Sequence, residues 1–209
     1  MEALSMCSSR NHFKQAGKNP IACLSIYKKE KALLSKFFFL KIFLLSVLLL
    51  PAVFETRAQS NDHYSLYANI IYRVTKYINW PAHKKSGDFV IGIVGDSPLY
   101  DELKSFTANK TVGSQKIVIK GFSSSADSYD CQILFISEEK SRSMKKIAAL
   151  TEGSPVLLIS ELGGLAQKGS CINFIIVDER LKLEINKKNI QQRNLDVASE
   201  LLSLGKIVN

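Results

Sequence analysis

Three short runs in this chain are apolar nearly without interruption: Phe89-Val90-Ile91-Gly92-Ile93-Val94, Cys131-Gln132-Ile133-Leu134-Phe135-Ile136 and Val156-Leu157-Leu158-Ile159. Each is bounded by turn residues and too short for a buried helix, so each reads as a strand covered on both faces. A strand of that kind needs layers above and below it. The runs therefore restrict the chain to an α/β arrangement with a largely parallel centre.

The intervening segments supply the layers. Tyr67, Ile70, Ile71, Val74, Tyr77 and Ile78 recur at helical spacing, which predicts an amphipathic helix ending near Trp80-Pro81, with Asn69, Arg73, Lys76 and Asn79 on its other side. Ser97 as N-cap and Pro98 at the first position predict a second helix whose apolar face is Leu99, Leu103 and Phe106. Lys116 to Lys120 reads as a further strand. A third helix is expected over Ser137 to Leu150, capped by Ser137, with Glu138 and Glu139 in its first turn and Lys145 and Lys146 near its end. After a Gly163 to Gly169 loop, Cys171 to Val177 and Leu181 to Ile185 form a hairpin across Asp178-Glu179-Arg180. Asn186 can cap a short helix through Ile190, and Leu201, Leu202, Leu204, Ile207 and Val208 are expected to pack a final element on the core. The sum is a single α/β domain with a central mixed sheet of about six strands, flanking helices and a C-terminal antiparallel hairpin.

That domain is expected to begin after a targeting segment. Phe37 to Leu50 is an apolar core behind Lys28, Lys29, Lys31 and Lys36, and Thr56-Arg57-Ala58 is a small-residue cleavage site, so residues 1–58 read as a signal peptide with a long basic leader and 59–209 as the exported domain. The alternative is an uncleaved inner-membrane anchor, since Phe37 to Phe54 carries one cation, Lys41, and reaches the lower limit for a spanning helix. Basic residues before the run export the C-terminal part in both cases. Charge follows the same division. Of the formal net charge of +9, residues 1–58 hold +6 (9 basic, 3 acidic) and residues 59–209 hold +3 (19 basic, 16 acidic). The basicity belongs mainly to the leader, and no RNP-type, zinc-finger or basic-helix motif makes the domain a nucleic-acid binder.

Of four cysteines, Cys7 and Cys23 lie in the leader, leaving Cys131 and Cys171. Cys131 opens one strand. Cys171 is expected to open a strand returning antiparallel along an intervening one, which would put the two thiols at opposite ends of the sheet. Strands two apart are already about 9.5 Å from each other, so a Cys131–Cys171 disulfide is not expected.

Few residues are arranged for chemistry. Gly95-Asp96-Ser97 superficially matches the nucleophile block of GDSL-type hydrolases, but no histidine follows His83 to serve as base, and the capped helix start explains the segment. Gly95 and Ser97 could instead hold an anion on free N–H groups. His63 and His83 make no metal-ligand spacing with the cysteines, and no cofactor motif is present. Arg73, Lys76, Lys84 and Lys85 make a candidate basic patch, with Tyr72, Tyr77 and Trp80 as contact aromatics.

The segments from Ala68-Asn69-Ile70-Ile71-Tyr72-Arg73-Val74-Thr75-Lys76-Tyr77-Ile78-Asn79-Trp80-Pro81, through Ile91-Gly92-Ile93-Val94-Gly95-Asp96-Ser97-Pro98-Leu99 and Cys131-Gln132-Ile133-Leu134-Phe135-Ile136-Ser137, to Ile172-Asn173-Phe174, Leu183-Glu184-Ile185-Asn186 and Leu201-Leu202-Ser203-Leu204, resemble the YfiR family. The likeness runs in order from about residue 64 to 208. It implies a non-catalytic periplasmic regulator that binds the periplasmic part of an inner-membrane diguanylate cyclase and lowers cyclic di-GMP output. It also implies an OmpA-like outer-membrane lipoprotein that sequesters the inhibitor, and a homodimer. Related domains are fused ahead of histidine-kinase or GGDEF modules; with none after Asn209, this domain is expected to signal through a separate protein. The long leader is atypical, and two cysteines fall short of the two disulfides of some relatives, which puts redox control in doubt. Tyr72, Arg73, Lys76 and Trp80, with the Gly163 to Gly169 loop, are the expected partner surface. The competing expectation, from a different class, is a periplasmic small-ligand-binding module using the crevice near Gly95 to Pro98. An exported hydrolase ranks last.

Overall fold

The computed structural model describes residues 58–209. The signal peptide, its cleavage and the anchored alternative fall outside the described residues. Helix α1 (Ala58–Val74) leads to a short strand β1 (Ile78–Asn79), then β2 (Phe89–Val94), α2 (Leu99–Thr107), β3 (Thr111–Val112), β4 (Gln115–Phe122) and β5 (Ile133–Ile136). Next come α3 (Met144–Leu150), β6 (Leu157–Ser160), β7 (Ile172–Val177), β8 (Arg180–Ile185), α4 (Lys187–Gln191), β9 (Asp196–Val197), α5 (Ser199–Ser203) and β10 (Lys206–Ile207).

The main sheet has eight strands in the order β10-β8-β7-β6-β5-β2-β4-β3. Its centre, β4-β2-β5-β6-β7, is parallel, while β8 and β3 run antiparallel to β7 and β4. The fully apolar runs fill that centre: every residue of β5 and β6 is buried, as their lack of alternation requires. The mixed α/β domain and the C-terminal hairpin stand as the sequence implies; the additional strands are the two-residue β3 and β10 at the sheet edges.

Helix α1 lies over the sheet. Tyr67 meets Phe174 of β7 with ring centroids 4.8 Å apart, and Phe174 in turn lies 6.4 Å from Phe135 of β5. Tyr67, Ala68, Ile71 and Val74 are buried, giving the helix its core face. The helix ends six residues before Trp80, earlier than its apolar spacing suggests. Thr75 Oγ1 donates to the Tyr72 carbonyl at 2.6 Å, and the N–H groups of Thr75, Lys76 and Tyr77 bond to residues three back rather than four. Ile78 keeps its place in the core as part of β1, paired with β9 (Ile78↔Val197). Helical and extended backbone both bury it, so periodicity alone does not separate them.

The segment after Ser137 also departs from expectation. Glu138–Ser143 is a 3₁₀ helix, and only Met144–Leu150 is α-helical. Ser137 makes no cap; its hydroxyl is buried and unpartnered. Between Gly164 and Gly169, both left-handed at φ 75° and 103°, the expected loop holds a 3₁₀ turn, Leu165–Lys168. At the C-terminus Leu201 is buried as expected, while Leu204 and Ile207 are 63% and 48% exposed.

Cys131 and Cys171 are buried free thiols. The expected antiparallel return is wrong: β7 runs parallel to β6, so both cysteines sit before the N-terminal ends of their strands. They are separated by β6, and Cys171 bonds level with Leu158 whereas β5 is paired from Leu157 only at Ile133. Burial pushes the Cys131 thiol up to about 12 and raises that of Cys171 as well.

Candidate docking surface

Helical geometry divides α1 and the turn that continues it into three strips: Tyr67, Ile71 and Val74 face the core, Tyr72 and Lys76 lie on the opposite side, and Arg73 falls between Tyr72 and the Ile70–Tyr77 strip. Arg73 and Lys76 are exposed and Tyr72 is half-buried. The Tyr72 ring stands edge to face with Phe106 of α2, centroids 6.0 Å apart. Lys110 Nζ lies 3.9 Å from the Phe106 centroid and 5.8 Å from that of Tyr72, while Nζ of Lys76, in the turn after α1, lies 5.5 Å from that of Tyr72. Each such cation–ring contact at an exposed site is worth about 0.5–1 kcal/mol. The result is a basic aromatic patch assembled from two helices and the turns that follow them.

Phe106 and Lys110 are the members that sequence reasoning missed. Phe106 shares the helical spacing of Leu99 and Leu103, but those two are fully buried and Phe106 lies at the margin, where α2 meets α1. Its periodic signal marks it as core and does not show that its ring reaches Tyr72.

On the other side of Arg73 lies a groove of about 620 Å³ between α1, the β7–β8 hairpin and the C-terminal segment. Ile70, Val74 and Tyr77 form one wall, Leu181 and Leu183 another, and Leu201 and Leu204 close it. Its charged lining residues are Arg73, Lys182 and Lys206, with no carboxylate among them. None of the three is in an ion pair among the described residues.

Trp80 does not belong to this surface. It is 4% exposed, edge to face with Phe89 at 5.1 Å, and its indole N–H donates to the Gln132 carbonyl at 3.3 Å. Gln132 fixes the surrounding loop: its amide donates to the carbonyls of Lys84 (3.0 Å) and Asp88 (3.2 Å), and its Oε1 accepts from Val90 N–H at 2.9 Å. Lys84 is drawn into an ion pair with Asp130 at 2.7 Å, apart from the Tyr72 patch. The Gly163 to Gly169 turn is likewise pinned, by Glu184 accepting from Gly164 N–H and by Asn189 donating to the carbonyls of Ala166 and Ser170.

The crevice at Gly95 and Ser97 is already supplied with anions by the chain itself. Asp96 N–H donates to Glu139 at 2.9 Å, Glu138 N–H donates to Glu161 at 2.8 Å, and the Ser97 hydroxyl accepts from Leu99 N–H at 3.3 Å. The N–H groups of Asp96, Glu138 and Leu99 beside this crevice are therefore already engaged within the chain. The Asp96 hydrogen bond holds the Glu139 carboxyl below the usual range, whereas burial raises that of Glu161. Ser97 acts as a helix cap, as its position before Pro98 implies.

A family model described as YfiR/HmsC-like matches residues 64–206. The chain belongs to the YfiR/HmsC-like family. The match spans more than half of the 209 residues and runs from within α1 to β10, so the patch and all the lining residues of the groove lie inside this YfiR/HmsC-like domain. Curated proteins give no match. Among the described residues, no group of three His, Cys, Asp or Glu side chains is placed to hold a metal ion, and no helix is long and apolar enough to cross a membrane.

Proposed function

We propose that this YfiR/HmsC-like domain is a non-catalytic periplasmic signalling regulator that docks on the periplasmic part of an inner-membrane signalling protein through the surface around α1. The observation that carries this reading is the continuity of the Tyr72–Phe106 patch with the apolar groove through Arg73: aromatic anchors, an apolar depression and unpaired cations side by side. Aromatic residues and Arg are the types that dominate interface energies. The family supplies the partner class, a membrane diguanylate cyclase, with a sensor kinase as the other output of the same architecture. An OmpA-like outer-membrane lipoprotein would compete for the inhibitor, and the free regulator would be a homodimer exported by its N-terminal signal.

Inhibition of this kind is a shift of population. The regulator lowers output by binding the inactive receptor more tightly than the active one, and a hundredfold preference is worth about 2.7 kcal/mol. Two or three desolvated contacts on such a patch supply that difference. The test is cellular cyclic di-GMP in a strain lacking the gene, complemented with wild type or with the Arg73→Glu/Lys76→Glu double variant at equal protein level. Deletion is expected to raise cyclic di-GMP, wild type to restore it and the double variant to fail. Restoration by the variant, or no effect of deletion, overturns the reading.

A further inference from the structure

We propose that the groove between α1, the hairpin and the C-terminal segment is a binding site for a single-chain anionic amphiphile, an alkyl tail carrying a carboxylate head, and that this ligand competes with partner docking. Its volume of about 620 Å³ falls within the range of small-molecule sites, about 300–1,000 Å³. Its lining is divided as such a ligand requires. Ile70, Tyr77, Leu181 and Leu204 present an aliphatic and aromatic surface to a tail, while the charged groups are Arg73, Lys182 and Lys206 alone. Three cations without a carboxylate among them select an anionic head, and none of them is engaged by an internal acid among the described residues.

Apolar exposure clusters at the same place. Of the five large hydrophobic residues exposed among the described residues, Leu204 lines the groove, and Ile176 and Ile207 lie on the hairpin and the C-terminal segment that border it. Such clustering marks a binding surface, whereas scattered exposed residues are ordinary. An acidic amphipathic helix from a protein partner shares the charge but fits the shape less well. Three turns of helix, roughly 16 Å long and 10 Å across, occupy on the order of 1,200 Å³, twice the groove, and would seat only a strip of side chains. A tail with a small head enters whole.

Arg73 gives the site its consequence. It lines the groove and borders the Tyr72 patch, so a carboxylate paired with it removes a cation from the docking surface. Only this coupling rests on the regulator reading; ligand binding does not.

The test is isothermal titration of the purified protein with dodecanoate below its micelle threshold, beside dodecyltrimethylammonium, anionic phospholipid vesicles and a synthetic acidic amphipathic helix. Saturable one-site binding of dodecanoate is expected, weakened at least tenfold by Arg73→Glu/Lys206→Glu and separately by Leu204→Asp. All three positions are at the surface, and unchanged melting temperatures would show that the variants fold. Absence of saturation, equal binding of the cationic analogue, unaltered binding by both variants, or binding of the vesicles or the helix alone would each overturn the assignment. Because the titration contains no signalling partner, its failure leaves the regulator reading to the cyclic di-GMP experiment, and failure there leaves the titration result intact.

Discussion

Trp80 shows what a sequence conceals at the scale of one residue. Beside Arg73, Lys76 and Pro81 it reads as a surface aromatic, yet its indole finds its acceptor on Gln132, 52 residues away, and Phe89 covers its ring. Nothing local signals that burial. Trp80→Ala should cost about 3–5 kcal/mol in a urea unfolding experiment, whereas an effect below 1 kcal/mol would place the ring outside the core. Glu161 carries a pH dependence of definite sign. Burial raises its carboxyl above the ordinary 4.5, so the folded state binds the proton more tightly than the unfolded state. The stabilisation tied to this proton is complete below pH 4.5 and is lost as pH rises through the raised folded value. Gln keeps an oxygen to accept from Glu138 N–H without the charge. Thermal melts should show Glu161→Gln more stable than wild type near pH 7, with the gap closing towards pH 4; a gap constant with pH would contradict this. By contrast, the role of Ser97 was legible, because a serine before proline at a strand end needs only its neighbours to become a cap.

Elements were legible where their pattern had one physical reading. The runs Ile133–Ile136 and Leu157–Ser160 lack alternation because they are covered on both faces, and that made them central strands. Asn186 capping α4 through Asn189 N–H at 2.9 Å is equally local. The end of α1 was not legible, since Ile78 is buried in a strand as it would be in a helix. Nor was the 3₁₀ character of Glu138–Ser143, where well-placed charges suit either helix type. The hairpin was read correctly as an element but its turn is tighter than expected. Register Val177↔Arg180 leaves Asp178 and Glu179 as a two-residue loop, both with positive φ, 52° and 59°. That is the type I′ conformation, which favours glycine at its second position. Relief of left-handed strain at Glu179, about 1–2 kcal/mol, exceeds the added chain entropy of glycine, so Glu179→Gly should stabilise the domain by about 0.5–1 kcal/mol in denaturant. Destabilisation would mean that the Glu179 side chain does more than occupy the turn.

At the scale of the molecule, the Tyr67–Phe174 contact sets α1 against β7 of the hairpin, and the proposed function rests on the surface between and around them. Tyr72, Arg73 and Lys76 could be singled out from one helix because aromatic and basic residues alternate with its apolar stripe. Phe106 of α2 and Lys110 of the turn after it enter the same patch, and Lys182 and Lys206 enter the groove from β8 and β10, through tertiary packing that no spacing in the chain encodes. The central claim is that this assembled face, rather than the strand-end crevice at Gly95, meets the signalling partner. The most direct measurement is in-cell photo-crosslinking from a residue placed at Lys76, with Lys146 on α3 as the control position, both exposed. Position 76 is expected to capture the periplasmic segment of a membrane protein with a diguanylate-cyclase or kinase output, and position 146 is not. Capture of that protein from position 146 with none from position 76 would contradict the account.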